Sequence, residues 1–317
     1  MCEYDALPEL GHGCGHNLIA EAGIAAAIGI KSAIEENPRL GQLVVFGTPA
    51  EEENGGKIDL INGGCFKDID FCLMVHPAHM NVAFYNSMSI EEVIVTYHGN
   101  TSHATAFPWE GINALDAAVS AYTSISLLRQ QMKPTWRVHG IFTEAGSRPN
   151  VIPEQAQLHY YVRATTNTDH AILKARLLNC FKEAATATGC EVHVFWKPSA
   201  FACILTNDSL ATLYQESAKE LGMVFPSREV QESVIDGSTD MGNVSLVVPG
   251  IQPLYTIDEK ALYHSHAFRK AAGTLEAHKK TILAGKAMVK TALAVMIDPE
   301  LMKIVKDEFR IKGLVHE

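Results

Sequence analysis

The chain has 317 residues, a length that favours two domains over one. Hydrophobic residues make up 47% and charged residues 20%, which is ordinary for a globular protein. The net charge is −10 and no long basic run is present, so we expect a small-molecule ligand and no nucleic acid partner. The seven cysteines follow no framework spacing, and we expect no signal peptide, a pattern that favours the cytoplasm. The most apolar stretch, residues 18–30, carries Glu21 and is too short to span a bilayer, so no membrane partner is expected.

Residues 11–17 (GHGCGHN) combine three glycines, two histidines and a cysteine. Glycines let the backbone bend sharply, so side chains two positions apart can converge on one point. A thiolate and an imidazole in that arrangement are typical of a metal site. The alternative is a turn before a helix, with Asn17 as its cap and Cys14 simply buried. Asp5, shortly before this motif, is either a ligand, a support for one, or a turn residue before Pro8.

The first third of the chain has the pattern of an α/β domain. A helix is predicted over residues 18–36, and residues 42–48 (QLVVFGT) have the pattern of a buried parallel strand. The acidic turn 49–56 follows that strand, and His76 follows a second apolar run, 71–75. Because α/β sheets bind ligands at the carboxyl ends of their strands, these turns are candidates for a site.

The middle of the chain changes to alternating strands and amphipathic helices. The predicted order is β-α-β-β-α-β, over residues 89–98, 111–131, 136–143, 155–163, 169–188 and 191–196. This is the order of a ferredoxin-like unit. We therefore predict a domain over residues 87–200, inserted into a larger α/β domain formed by residues 1–86 and 201–317. In the returning part, the predicted elements are helices 208–221, 274–297 and 299–311, strands 244–248 and 252–257, and a polar loop 234–242.

Several short motifs, spread over nearly the whole chain, occur together and in one order. They are residues 3–8 (EYDALP), 13–17 (GCGHN), 49–52 (PAEE), His76, 98–104 (HGNTSHA), 150–154 (NVIPE) and His264. Together they resemble the peptidase family M20 of metal-dependent amidohydrolases. Asn17 and residues 237–240 (GSTD) resemble the branch that acts on aminobenzoyl-glutamate and on dipeptides ending in a basic residue.

The resemblance implies an α/β fold, with a dinuclear-metal, exopeptidase-like catalytic domain and an inserted ferredoxin-like α+β lid that serves dimerisation. It implies that five side chains hold two divalent metal ions: Cys14, His16, Glu52, His76 and His264. Cys14 would bridge the two ions. Thiolate and imidazole ligands favour zinc, while the carboxylate also suits manganese.

The resemblance further implies roles for four residues that are not ligands. Glu51 is the general base, which suits a carboxylate next to a ligand but not itself one. His103 on the lid stabilises the oxyanion and reaches across the dimer. Asn150 and Arg163 hold the substrate carboxylate, for which the planar guanidinium is well shaped.

We therefore expect a cytoplasmic homodimer, formed through the lid, that hydrolyses an amide bond in dipeptides or N-acyl amino acids with a free carboxylate. The branch resemblance suggests a leaving residue with a basic side chain, and Asp236 and Asp240 are the candidate carboxylates to meet it. One alternative is a non-catalytic dimeric member of the fold with a binding or regulatory role. A second alternative makes Cys14 a thiol nucleophile, but the metal hypothesis explains more residues.

Members of this family carry a substantial stretch before the motif at residues 5–8, whereas here only residues 1–4 precede it. Loss of strands from a sheet exposes backbone edges and loosens the core that positions ligands. We therefore expect an amino-terminally shortened chain with a weakened metal site and an intact lid.

Overall fold

The computed structural model describes residues 1–316, and the side chains of residues 1–313. Two compact units are present. The discontinuous unit comprises Met1–Ser87 and Phe201–Glu317, and the inserted unit comprises Met88–Ala200.

The strands are short in the discontinuous unit, with two or three residues each, and longer in the inserted unit, with six to ten. The strands are β1 Cys2–Glu3, β2 Gly47–Thr48, β3 Cys72–Leu73, β4 His76–Ala78, β5 Ser89–His98, β6 Arg137–Glu144, β7 Gln155–Ala164, β8 Glu191–Trp196, β9 Gly250–Ile251 and β10 Leu254–Thr256. The α-helices are α1 His16–Glu36, α2 Gly56–Asn62, α3 Ala114–Leu128, α4 Asn167–Thr188, α5 Asp208–Glu220, α6 Arg228–Glu232, α7 Met241–Ser245, α8 His266–Ala272, α9 Leu275–Ile297 and α10 Pro299–His316.

The inserted unit is a four-stranded antiparallel sheet in the order β6-β7-β5-β8, with α3 and α4 on one face. Residues of β5 and β7 alternate between buried and half-buried, as expected for strands with one covered face. The buried face packs Tyr97, Leu158 and Tyr160 against Leu173 and Phe181. The predicted β-α-β-β-α-β order and the ferredoxin-like arrangement are confirmed.

The discontinuous unit is built from three short parallel strand pairs, β1–β2, β3–β9 and β4–β10, packed with α1, α5 and α9. Small residues let α1 and α9 approach closely. A Cβ added at Gly29 would lie 2.8 Å from Val289 Cγ2, and one added at Gly285 would lie 3.1 Å from the Ala22 carbonyl oxygen. The close helix pair therefore depends on positions that carry no side chain.

By length and composition alone, α1 is long and apolar enough to cross a membrane. Core helices of soluble proteins pass the same test. Here Ala22 and Ala26 of α1 are part of the hydrophobic core of the discontinuous unit. The helix starts two residues before the predicted position, at His16.

The predicted buried strand over residues 42–48 is wrong. Only Gly47 and Thr48 form a strand, and Leu43, Val44 and Val45 are 36%, 51% and 44% exposed. The parallel partner strand β1 has only two residues. Its backbone hydrogen bonds therefore extend to β2 and the Phe46 carbonyl, and they do not include the residues before Phe46. The preceding residues instead line an apolar groove of about 340 Å³ together with residues of α1 and α9.

The predicted strand over residues 244–248 is also wrong, because this stretch continues the short helix α7 into a turn. Met241, Val244 and Val248 are buried, at spacings of three and four residues. Leu246 and Val247 between them are exposed. Burial therefore follows the helical period. A short run of apolar residues does not show this period in the sequence, because buried and exposed positions are both apolar.

Candidate metal centre

The motif turn brings Cys14 and His16 to the start of α1. Gly15 has φ 83°, in the left-handed region, and is the residue before the helix. A Cβ at Gly15 would lie 2.6 Å from Cγ of Pro77, so a side chain would push the turn away from β4. The glycine thus permits a bend that sets the two potential ligands against the neighbouring strand.

The first group of potential ligands is Cys14, His16 and His76, each of which offers an atom within 4.8 Å of the others. The Cys14 Sγ lies 3.6 Å from Nε2 of His76. The His76 Nδ1–H donates to the Pro77 carbonyl at 2.8 Å, which leaves the lone pair on Nε2 and directs it toward Cys14. Such a carbonyl partner commonly orients a metal-binding histidine.

The second group is Cys14, Glu52 and His264, again within 4.8 Å of one another. The Glu52 Oε2 lies 3.2 Å from Nε2 of His264. His264 has φ 57°, and its backbone N–H donates to the Gly13 carbonyl at 2.9 Å, which attaches its loop to the motif turn. Cys14 belongs to both groups, so one sulfur faces two possible ion positions.

The structure adds two carboxylates to the candidate site. The sequence did not single out Glu3, and it left the role of Asp5 open. Glu3 is fully buried, and its Oε2 lies 3.4 Å from Nε2 of His16. Glu3, His16 and Glu51 form a third group of candidate ligands within 4.8 Å. Asp5 Oδ1 lies 3.3 Å from the other ring nitrogen of His16, and Asp5 Oδ2 accepts the Glu52 N–H at 3.2 Å. Glu3 and Asp5 are two positions apart, and an extended chain places such side chains on the same side. This spacing is the sequence signal that both could contact one residue, here His16.

Burial and the surrounding charges shift the pKa values of the three residues of the first group in different directions. Burial and the carboxylates of Glu52 and Glu51 raise the pKa of the Cys14 thiol well above its usual value. Burial opposes the charged form of His16, but the Asp5 and Glu3 carboxylates raise its pKa to about 9. Burial lowers the pKa of His76 to about 4. A bound cation would compensate for the acidic groups that crowd this sulfur.

Lys57 neutralises part of this acidic cluster through its contacts with Glu3 and Asp240. Its Nζ is fully buried and donates to Glu3 Oε1 at 2.6 Å and to Asp240 Oδ1. The Lys57 backbone N–H donates to Asp240 Oδ2 at 2.9 Å. Burial would lower the pKa of this ammonium group, but Glu3 and Asp240 raise it above the usual value. Asp240 is therefore engaged on both oxygens and fully buried, so the expectation that it meets a substrate cation is wrong.

The donor set fits a pair of divalent cations. Nε2 of His16, Oε2 of Glu3 and Oε1 of Glu52 are buried and take part in no hydrogen bond with the described residues. Buried polar atoms normally take part in hydrogen bonds, so three convergent atoms that form none indicate a further partner. One thiol, three imidazoles and adjacent carboxylates are ligands that transition metals accept.

The other three predicted site residues lie in the inserted unit. His103 is exposed and forms an isolated antiparallel bridge with Val151, while the Ala104 N–H donates to the Asn150 carbonyl at 3.0 Å. The structure thus places the His103 and Asn150 segments side by side. Burial lowers the pKa of Arg163 on β7, and its guanidinium lies 5.9 Å from the Tyr161 ring centroid.

Asn150 and Arg163 lie at opposite ends of the inserted sheet. Asn150 precedes β7, next to the end of the sheet where Gln155 pairs with His98, whereas Arg163 pairs with Ile90 at the other end. A ten-residue strand spans roughly 30 Å. One inserted unit therefore cannot bring both side chains to a single carboxylate.

Comparison with known proteins agrees with these observations. The peptidase dimerisation domain of the M20 family matches residues 87–188. The Xaa-Arg dipeptidase of Mus musculus is 48% identical over 314 residues, covering 98% of this chain and 73% of that protein. One of the p-aminobenzoyl-glutamate hydrolase polypeptides of Escherichia coli is 28% identical over 357 residues, covering 95% of this chain and 74% of that protein.

Among solved structures, a dinuclear metal-binding peptidase of the M20 family from Bacillus subtilis has the same fold. It superposes with a TM-score of 0.68 at 17% identity, covering 93% of this chain and 78% of that one. Fold and sequence similarity together define a metal-dependent hydrolase with a peptidase dimerisation domain. The chain belongs to the M20 family of peptidases.

Proposed function

We propose that this chain hydrolyses the amide bond of dipeptides whose carboxyl-terminal residue is basic, using two divalent metal ions. The observation that carries the proposal is the pair of ligand groups that share Cys14. The identity of 48% to an Xaa-Arg dipeptidase supports the substrate class. The net charge of −10 and the dispersed cysteines support a cytoplasmic location.

Cys14, His16 and His76 would hold one ion, and Cys14, Glu52 and His264 would hold the other. When bound, such a pair activates water at neutral pH and offsets the negative charge that develops on the amide oxygen. The mixture of thiolate, imidazole and carboxylate favours zinc and also accepts manganese.

Glu51 is the proposed general base. It is buried and lies beside the ligands, with its Oε2 3.8 Å from Nε2 of His16, yet it belongs to neither group that contains Cys14. Burial and the charge of Glu3 raise the pKa of Glu51 well above its usual value, although Lys57 opposes this rise. A carboxylate with elevated proton affinity can take a proton from water and deliver it to the leaving amine.

His103 is proposed to stabilise the oxyanion. Its Nδ1 accepts the N–H groups of Thr105 and Ala106 at 3.3 and 3.2 Å, so in the neutral ring the proton is on Nε2. The exposed Nε2–H is then a donor held in one direction by the backbone of its own loop.

The proposed assembly is a homodimer formed through the inserted unit. Strand β6 is an edge strand, and exposed Phe142 on it lies beside α3, with its ring centroid 5.6 Å from that of Tyr122. Val119 and Leu127 of α3 extend this exposed apolar surface. An unpaired edge beside an apolar patch favours pairing with a second copy. Two copies also offer a way for Asn150 of one and Arg163 of the other to serve one substrate carboxylate.

Mixing two inactive variants tests whether His103 acts across the dimer. Chains with His103→Ala and chains with Glu51→Gln are each expected to be inactive. An equal mixture that exchanges subunits at random should recover about a quarter of the wild-type rate. Half of its dimers are then heterodimers, and each heterodimer has one intact site of two. The measurement is the hydrolysis rate after subunit exchange, with heterodimers verified by differential tags. Verified heterodimers that remain inactive would contradict the arrangement.

The substrate proposal is tested with four compounds and metal-loaded protein. We expect kcat/KM for β-alanyl-lysine and alanyl-arginine to exceed that for alanyl-leucine by about 10- to 100-fold. A site that binds a charged side chain discriminates strongly against a substrate that lacks the charge. Benzoyl-glutamate serves as the acyl-glutamate control. Equal values for all four compounds would overturn the basic-residue assignment.

A further inference from the structure

Glu3 has one carboxylate oxygen held by Lys57 and one that forms no hydrogen bond with the described residues. The side chain is fully buried, at 0% exposure. The Lys57 Nζ donates to Oε1 of Glu3 at 2.6 Å, which fixes the orientation of the carboxylate. Oε2 accepts no hydrogen bond from any residue that the structure describes. Because a buried carboxylate oxygen without a partner is unfavourable, Oε2 indicates a further donor or cation beside it.

This oxygen faces the ring of His16. Oε2 of Glu3 lies 3.4 Å from Nε2 of His16, which is also buried and forms no hydrogen bond with the described residues. On the other side of the ring, Oδ1 of Asp5 lies 3.3 Å from Nδ1 of His16. A carboxylate in that position stabilises a proton on Nδ1 and leaves the lone pair on Nε2. Two electron-rich atoms, Nε2 and Oε2, then face each other, and a cation between them removes their repulsion.

The separation of Nε2 and Oε2 suits two ligands of one ion better than a hydrogen bond. N–H···O hydrogen bonds span about 2.7–3.2 Å between nitrogen and oxygen. Two ligand atoms that each lie about 2.0–2.2 Å from a tetrahedral ion are about 3.3–3.6 Å apart. Glu3, His16 and Glu51 form the third group of candidate ligands, and His16 also belongs to the first group. An ion bound by His16 therefore has Glu3 as a further ligand within reach.

The buried charges around Glu3 do not balance. Lys57 contacts the carboxylates of both Glu3 and Asp240, and all three side chains are buried. With all three ionised, two negative charges face one positive charge. A buried charge without a counter-charge is costly, so a cation next to Oε2 of Glu3 stabilises the cluster. Lys57 does not supply that cation, because the two carboxylates already share its ammonium group.

We propose that Glu3 is a metal ligand, whose Oε2 binds the ion held by His16 while Lys57 fixes its Oε1. This assignment rests on the proposed function, since it concerns one of the two proposed ions. It adds a carboxylate to the five ligands expected from the sequence. Glu51 keeps its role as the base, because its Oε2 lies farther from Nε2 of His16, at 3.8 Å.

The test measures zinc binding by the full chain, with equilibrium dialysis followed by elemental analysis. For Glu3→Gln we expect one of two ions to bind at least about 100-fold more weakly, since loss of an indirect support for a ligand already costs about 10- to 100-fold. Asp240→Asn is the matched control, because it removes the same charge from the same buried cluster. It should weaken zinc binding by about 10-fold at most. Equal losses in the two variants would show that Glu3 acts only through its charge, which overturns the assignment.

A second pair of variants keeps the test decisive if Glu3→Gln does not fold. Lys57→Met retains the carboxylate of Glu3, whereas Lys57→Met combined with Glu3→Gln removes both members of the buried pair. Lys57→Met should bind two zinc ions, and the double variant should bind one. Two ions bound with equal affinity by both variants would overturn the assignment.

Zinc binding separates this assignment from the proposed function. A wild type that binds two ions and hydrolyses no dipeptide contradicts the proposed function, and the comparison of Glu3→Gln with Asp240→Asn still decides the role of Glu3. An active wild type whose two ions bind equally well in Glu3→Gln supports the proposed function and overturns the Glu3 assignment.

Discussion

Glu51→Gln is expected to reduce kcat by about 1000-fold while the metal content stays at the wild-type level. Glutamine keeps the size of the side chain and loses the ability to accept a proton. Because Glu51 belongs to neither ligand group that contains Cys14, its replacement leaves those donors in place. The measurements are the steady-state rate on β-alanyl-lysine and the metal content by elemental analysis after reconstitution.

Glu53→Gln is the matched control for this variant. Glu53 lies two positions further along the same acidic turn and is exposed, so its change should leave kcat within about 2-fold of the wild type. A Glu51→Gln protein that turns over at the wild-type rate would show that another group is the base. A protein that loses metal together with activity would instead assign Glu51 to the ligands, as its proximity to Glu3 and His16 allows.

Lys57→Met is expected to lower the free energy of unfolding by about 3–5 kcal/mol, since it leaves two buried carboxylates without their cation. The Lys57 side chain is fully buried, and so are Glu3 and Asp240, its two partners. Methionine fills most of the volume, so the loss reports the charge and not a cavity. Urea unfolding of metal-free protein measures the effect without a contribution from bound ions.

Lys31→Met provides the control, because Lys31 is 70% exposed and pairs only with Glu35 one helical turn away among the described residues. Such surface pairs contribute about 0–1 kcal/mol. The double variant Lys57→Met with Glu3→Gln should be more stable than Lys57→Met alone, as one stranded carboxylate is removed. Stability of Lys57→Met within error of the wild type would mean that the cluster needs no internal cation.

The inserted unit shows which features the sequence determines. Strand β5 (Ser89–His98) and strand β8 (Glu191–Trp196) begin and end at the predicted residues. Alternation of buried and exposed positions is a local property, and each strand here is long enough to display it over several residues. The glycine-rich turn is equally local, since its bend depends on residues 11–17 themselves.

The discontinuous unit depends on contacts between distant segments, and there the predictions from pattern fail more often. Residues 42–45 have the composition of a buried strand, but burial needs a neighbour, and β1 reaches only the last residues of the run. Lys57 has no distinguishing sequence signal, because its role follows from Glu3 and Asp240, which lie 54 and 183 positions away.

The types of side chain that could form a metal centre were therefore evident from the sequence, whereas their arrangement was decided by the tertiary structure. Cys14 and His16 are recognisable as a pair from their turn. That the Cys14 sulfur faces both His76 and His264 depends on the position of β4 and on the hydrogen bond from the His264 N–H to the Gly13 carbonyl. Oδ2 of Asp236 has no hydrogen-bond partner among the described residues, whereas both oxygens of Asp240 accept hydrogen bonds from Lys57. The difference arises because Asp240, and not Asp236, lies next to Lys57 in the folded chain. The physical reason is that electrostatic and hydrogen-bond partners are chosen by proximity in space, which a linear pattern records only when the partners are close in sequence.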